Sequence, residues 1–217
     1  MMKPLLPLLL LTLCLCSCDP ASNPDPAVET TPPAAPTPEF DAATRSFVPG
    51  ERFGAIVAGA TLDDLKAIYG ADLQEGTIYG PEGMTLEGMI LFPGQDDEVE
   101  IITGEDADGM TFRIQDAGGA WHDARTGLRV GSSLLQLQRI AGEPFDFSGF
   151  GWDYGGAVHP IDERPWLDNL GIELREPFYL APEDMEFMLG DITVSTADER
   201  LDDLRRDIRV RRLHVHL

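Results

Sequence analysis

His214 and His216 stand two residues apart, the spacing that puts two imidazoles on one face of a strand where they can chelate together. No third ligand accompanies them. Asp106-x-Asp108-Gly109 has the beginning of a calcium loop, but that pattern needs an Asp where Gly104 stands and a Glu where Gln115 stands. Neither cluster completes a site, so no metal and no cofactor is expected. Nucleophile patterns are missing too: the chain has no Gly-x-Ser-x-Gly and no Ser-x-x-Lys. The glycines of Gly149-Phe-Gly-Trp-Asp-Tyr-Gly155 do not have phosphate-loop spacing, and no helix is expected after them. With 38 acidic residues, carboxylate pairs occur throughout and single out no glycosidase centre. No catalytic residue is assigned. Trp152, Asp153 and Tyr154 are the candidate contact residues for a partner, because Trp and Tyr dominate binding hot spots. If this segment is a strand, the two aromatics share one face, as core or as contact surface, and Asp153 takes the other.

The N-terminus carries a second kind of chemistry. Lys3 precedes an almost unbroken apolar run from Leu5 to Leu15, the layout of a secretory signal peptide. The fourteen residues from Leu5 to Cys18 fall short of the roughly 20 that span a bilayer, and Pro4 and Pro7 oppose a full-length helix. Leu15-Cys16-Ser17-Cys18 resembles the bacterial lipobox. The resemblance implies cleavage after residue 17, a thioether-linked diacylglycerol on Cys18 and an acylated new N-terminus. Two or more lipid chains anchor stably where one does not. Cleavage would remove Cys14 and Cys16, leaving Cys18 without a disulfide partner. Asp19 looks like an inner-membrane retention signal of enterobacterial lipoproteins, which leaves the choice of membrane open. The expected location is the bacterial cell envelope, with the bilayer as one partner through acylated Cys18.

Residues 18–39 should form a tether. Asp19 to Glu39 holds seven prolines in 21 residues, too little apolar surface to offset chain entropy. Extended, it reaches about 65 Å. Beyond it, 178 residues suffice for one domain or two small ones. Without Lys3 the processed chain has 15 basic and 38 acidic residues, a net of −23. Such a field repels nucleic acid and anionic lipid, and no nucleic-acid partner is expected. Five of the cations, Arg205, Arg206, Arg209, Arg211 and Arg212, crowd into eight residues. They face either an acidic partner or the acidic remainder of the same chain.

The elements that position these residues recur. Ile56–Gly70 and Leu128–Gly142 match at an offset of 72, with Gly59/Gly131, Leu62/Leu134, Leu65/Leu137, Ile68/Ile140 and Gly70/Gly142 identical. Each predicts a short helix capped by Thr61 or Ser133 and ended by glycine. The Ser133-x-x-Gln136 pair predicts a complete capping box. Period-two runs predict strands at Met84–Phe92, Glu98–Thr103, Met110–Gln115, Trp152–Val158, Gly171–Arg175 and Ile208–Leu217. The last run slips phase, and a bulge at Arg211-Arg212 would restore one apolar face. The fold class is therefore α+β, helices packed on an antiparallel sheet. Residues 40–124 form a first repeat unit and 125–217 a second, either separate or one continuous domain.

In tandem, the element Gly-x-Ser/Thr-x-x-x-Leu-x-x-Ile-x-Gly opening a small antiparallel sheet resembles the beta-lactamase inhibitory protein-like fold. Gly142-Glu-Pro-Phe145, Phe150-Gly-Trp-Asp-Tyr-Gly-Gly156, Ile78-Tyr79 and Ile90-Leu-Phe-Pro93 are similar to a group of uncharacterised bacterial lipoproteins. The match covers roughly residues 53–158. It departs in showing one clear helix per half where the inhibitor fold has two. The resemblance implies a non-enzymatic binding, scaffold or inhibitor module whose partner is another envelope protein. The alternatives are a carboxylate-dependent envelope hydrolase and a small-ligand or glycan-binding lipoprotein.

Overall fold

The computed structural model describes residues 41–104, 109–115, 119–161, 164 and 167–217. The expectations for residues 1–40, including cleavage, lipidation of Cys18 and the tether, lie outside them, as do Asp106 and Asp108. Among the described residues, no helix is long and apolar enough to cross a membrane.

The chain opens with three short strands, β1 (Ser46–Val48), β2 (Arg52–Phe53) and β3 (Ile56–Val57), followed by helix α1 (Leu62–Tyr69). Four longer strands follow: β4 (Leu73–Tyr79), β5 (Thr85–Leu91), β6 (Val99–Thr103) and β7 (Met110–Gln115). Then come β8 (His122–Asp123), α2 (Leu134–Ala141), β9 (Asp146–Ser148) and β10 (Leu170–Arg175). The chain finishes with α3 (Pro182–Met185), β11 (Thr193–Ser195) and β12 (Arg209–His216). Six strands build the main sheet, in the order β10-β12-β7-β6-β5-β4, with every neighbour antiparallel. A smaller sheet, β3-β2-β1-β8, closes with a parallel β1–β8 pair, and β11 and β9 form a two-stranded ribbon. The fold is α+β, as the spacing predicts. Strands from both halves of the chain share the main sheet, since β12 lies between β7 and β10.

Alternation explains which face packs. In β7, Met110, Phe112 and Ile114 are buried, and from the adjoining strands Val99, Ile101, Leu213 and Val215 join the same core. Phe53 stacks on Phe112 and on Trp121, both at 4.2 Å between ring centroids. The helices seal this face with Leu65 and Tyr69 from α1 and Leu134, Leu137 and Ala141 from α2. Each large apolar side chain so buried contributes about 1.5–3 kcal/mol. Trp121 also donates its indole N–H to the Asp97 carbonyl at 2.9 Å, so its one polar atom is paired.

Thr61 and Ser133 are both N-caps, each accepting from the backbone N–H three residues on. The complete capping box is at Thr61, where Asp64 accepts from the Thr61 backbone N–H at 2.8 Å. At Ser133 only the hydroxyl half forms, opposite to the sequence expectation. Asp64 is short and exposed, which lets it fold back on its own turn; Gln136 is half-buried. Gly142 ends α2 in the left-handed conformation, φ 77°.

The bulge lies where the phase slip puts it. Glu173 pairs with Arg212 but Leu174 pairs with Val210, so the register steps over Arg211. Val210, Leu213 and Val215 are thereby all buried. One expected strand is not there. Residues 151–156 form turns, and only Ala157 and Val158 make bridges, to Glu173 and Phe147. The glycines defeat the alternation: Gly151 and Gly156 have φ of 87° and 80°, which breaks extended backbone.

Candidate functional site

The second face of the main sheet carries polar side chains of β6, β7, β10 and β12. Cross-strand register lines up Glu100, Arg113 and His214 in one row, and Gln115, Arg212 and Glu173 in the next. Because β12 bulges here, Arg211 also reaches Glu173. Its Nε and Nη2 donate to Oε2 at 3.1 and 2.9 Å, and Arg212 Nη1 donates to Oε1 and Oε2 at 3.2 and 2.9 Å. His214 Nε2 lies 3.0 Å from Oε1. Burial alone pushes the Glu173 carboxyl up. The hydrogen bond to His214, the charges of Arg212 and His214 and the hydrogen bond from Arg211 outweigh it and hold the group at about 2. In the neighbouring row, Arg113 pairs with Glu100 through Nε, and Gln115 donates to the same Glu100 oxygen at 3.2 Å.

This charged row is the floor of a cleft of about 410 Å³. One wall is Tyr79, Gly80 and Pro81, where the β4–β5 hairpin turns; the other is Trp152, Asp153 and Tyr154. The turn that holds the second wall is tied on both sides. Gly156 donates to the Ser148 carbonyl and accepts from the Leu174 N–H, each at 2.8 Å. Trp152 Nε1 donates to the Gly149 carbonyl at 2.8 Å, and the Trp152 and Tyr154 rings meet edge-on at 5.4 Å. Tyr154 Oη donates to Glu82 at 3.4 Å, linking the two walls across the mouth. The Glu82 charge, with partial burial and Asp153 adding to it, raises the Tyr154 phenol above its ordinary value.

All three sequence-predicted contact residues therefore sit together, in a turn and not a strand. The aromatics are not core: Trp152 is 37% and Tyr154 47% exposed. Sequence reasoning missed Glu100, Arg113, Gln115 and Glu173. The one available signal was the alternation of Met110–Gln115, which puts Arg113 and Gln115 on the face away from the core. The arginine run divides. Arg205 pairs with Asp202 and donates to the Thr196 carbonyl, Arg209 donates to the Gly131 carbonyl, and Arg211 and Arg212 turn into the cleft. His214 is taken into the Glu173 network, and His216 Nδ1 lies 2.9 Å from Thr111 Oγ1. Among the described residues no group of three ligating side chains is arranged to hold a metal.

The cleft combines fixed charges with exposed aromatic rings. Glu173, held at about 2 and bonded on both oxygens, is a fixed carboxylate and cannot give up a proton near neutrality. The arginines supply planar donors for an anion, and the aromatics supply apolar contact area. The chain matches no family model, no curated protein and no solved structure.

Proposed function

We propose that this chain is a lipid-anchored module of the bacterial cell envelope that binds a partner protein at the arginine-floored cleft, as a scaffold or inhibitor and not as a catalyst. The observation that carries this reading is the built aromatic wall. Trp152 and Tyr154 stay exposed while a glycine-rich turn, backbone bonds and the Glu82 contact fix their positions. Preorganised, half-exposed aromatics beside charged donors have the composition of a binding hot spot. The anchor rests on Lys3, the apolar run to Leu15 and Leu15-Cys16-Ser17-Cys18. The proline-rich stretch after Cys18 gives the module reach from its membrane.

Two measurements test the reading. Cys18→Ser should move the protein from the membrane fraction to the soluble one and abolish labelling by a fatty-acid probe; persistence of either refutes the anchor. Affinity capture from cross-linked cell envelopes should return one reproducible protein partner that Trp152→Ala with Tyr154→Ala loses. If capture returns none, or one indifferent to both changes, the binding role is wrong. The hydrolase alternative needs a proton donor opposite a second carboxylate, and the carboxyl at the centre of the floor is held at about 2.

A further inference from the structure

We infer that the cleft recognises a carboxylate on an acidic, extended peptide segment of the partner, received by the terminal nitrogens of Arg113, Arg211 and Arg212 beside the Trp152–Tyr154 wall. This rests on the partner-binding role proposed above and assigns the chemistry of the occupant.

The floor of the cleft holds unused donors. Arg113 is only 5% exposed, and among the described residues its guanidinium makes one hydrogen bond, from Nε to Glu100. No buried polar side-chain atom lacks a partner among the described residues, so Nη1 and Nη2 of Arg113 must be wet, and the cleft is what this residue lines. Those two nitrogens are held in place by the Glu100 pair and meet only water, which a ligand with matching acceptors can replace. Arg212 uses Nε on Gln115 and Nη1 on Glu173, leaving Nη2; Arg211 uses Nε and Nη2 on Glu173, leaving Nη1. The acceptors of the floor are occupied by comparison. Both Glu173 oxygens and the Gln115 carbonyl oxygen already receive donors. What the floor has left to give is N–H groups of guanidinium geometry. Their complement is a planar group that only accepts.

Charge selects among such groups. Three arginines balance Asp153 and Glu173 in the lining and Glu100 behind Arg113, and Glu82 at the mouth adds one negative charge, so this neighbourhood is close to balanced in a chain of net −22. A single negative charge is accepted there at less cost than the double charge of a phosphate ester beside three fixed carboxylates. The wall selects the carrier. The Trp152 and Tyr154 planes stand 64° apart, so they form a corner and not the flat platform on which a sugar ring stacks. The exposed faces of these two touching rings offer apolar contact to the side chain next to an acidic residue in a peptide.

The test uses the full-length chain in detergent and a display library of extended heptapeptides. The expected winners carry a central Asp or Glu flanked by an apolar residue, and changing that acid to its amide weakens binding on the order of tenfold. Arg211→Gln with Arg212→Gln should weaken it by a similar factor. Because those variants strip Glu173 of both its arginine partners and leave it only His214, the unaltered chain supplies an independent readout. A saturating winner should shield Arg113, Arg211 and Arg212 from phenylglyoxal, mapped by mass spectrometry, and leave Arg200 and Arg206 reactive. Winners without an acid, binding indifferent to the amide change, or no shielding would overturn the inference. So would displacement by inorganic phosphate or by oligogalacturonate at lower concentrations than the peptide. A captured partner that binds the double arginine variant normally defeats this inference alone. No partner and no peptide defeats the role beneath it as well.

Discussion

Arg212 donates from one nitrogen to both carboxylate oxygens of Glu173, at 3.2 and 2.9 Å, across the row where the sheet bulges. The bulge brings Arg211 to the same carboxylate, so one acid on β10 holds two consecutive cations on β12.

Acid should loosen this strand pair first. The folded value of Glu173, about 2, lies below its ordinary 4.5. Its contribution is therefore complete above about pH 4.5 and is lost as pH falls toward 2. Breaking a fully buried pair costs about 3–5 kcal/mol; with 19% of the Glu173 side chain exposed, screening brings Glu173→Gln to about 2 kcal/mol at neutral pH. Denaturant midpoints measured from pH 2 to 7 should fall steeply below pH 4.5 in the native chain and less so in the variant.

Phe53 ties the small sheet to the main one. It stacks on Phe112 at 10° and on Trp121 at 28°, joining β2 to the main sheet. Phe53→Ala should cost about 4 kcal/mol and Phe53→Leu about 1–2 kcal/mol, read by chemical denaturation. Equal losses would mean that the cavity closes and that the stacking matters little.

Two glycines with the same backbone twist should respond very differently. Gly59 has φ 82° and open space where a Cβ would point; Gly156 has φ 80°, and a Cβ there would lie 2.1 Å from the Leu174 carbonyl oxygen. Gly59→Ala costs about 1 kcal/mol of backbone strain alone. Gly156→Ala adds a collision that must push the wall of the cleft off β10, and should cost about 3 kcal/mol or more. Thermal unfolding of the two variants separates them.

The contact across the cleft mouth has a spectroscopic signature. Tyr69 is raised by burial, Tyr154 chiefly by the Glu82 charge and Tyr179 chiefly by its hydrogen bond to Asp207. In an alkaline absorbance titration, Glu82→Gln should move one phenol back toward 10 and leave the other two in place. No movement would mean that the walls do not meet in solution.

What the sequence made legible was local. The phase slip between Val210 and Leu213 located a bulge because only a bulge keeps both side chains on the buried face. Thr61 and Ser133 announced their helices because a hydroxyl beside an apolar stripe satisfies a free N–H. The segment 152–158 misled: its alternation was real, but Gly151 before it and Gly156 within it take positive φ, which interrupts extended backbone. The floor was out of reach for another reason. Glu100, Arg113, Glu173 and Arg212 are up to 112 residues apart in number, and only the strand order 10-12-7-6 sets them in adjoining rows. Nothing in the spacing of a single strand encodes its neighbour.

The position of β12 between β7 and β10 also has a consequence in time. It is the last strand of its sheet to be synthesised, yet it occupies an inner place, so β7 and β10 keep unpaired backbone edges until it has left the ribosome. The main sheet cannot close on a growing chain. Until β12 is made, the strands on either side of its place wait as two parts of one sheet, and the residues that will floor the cleft have not yet met.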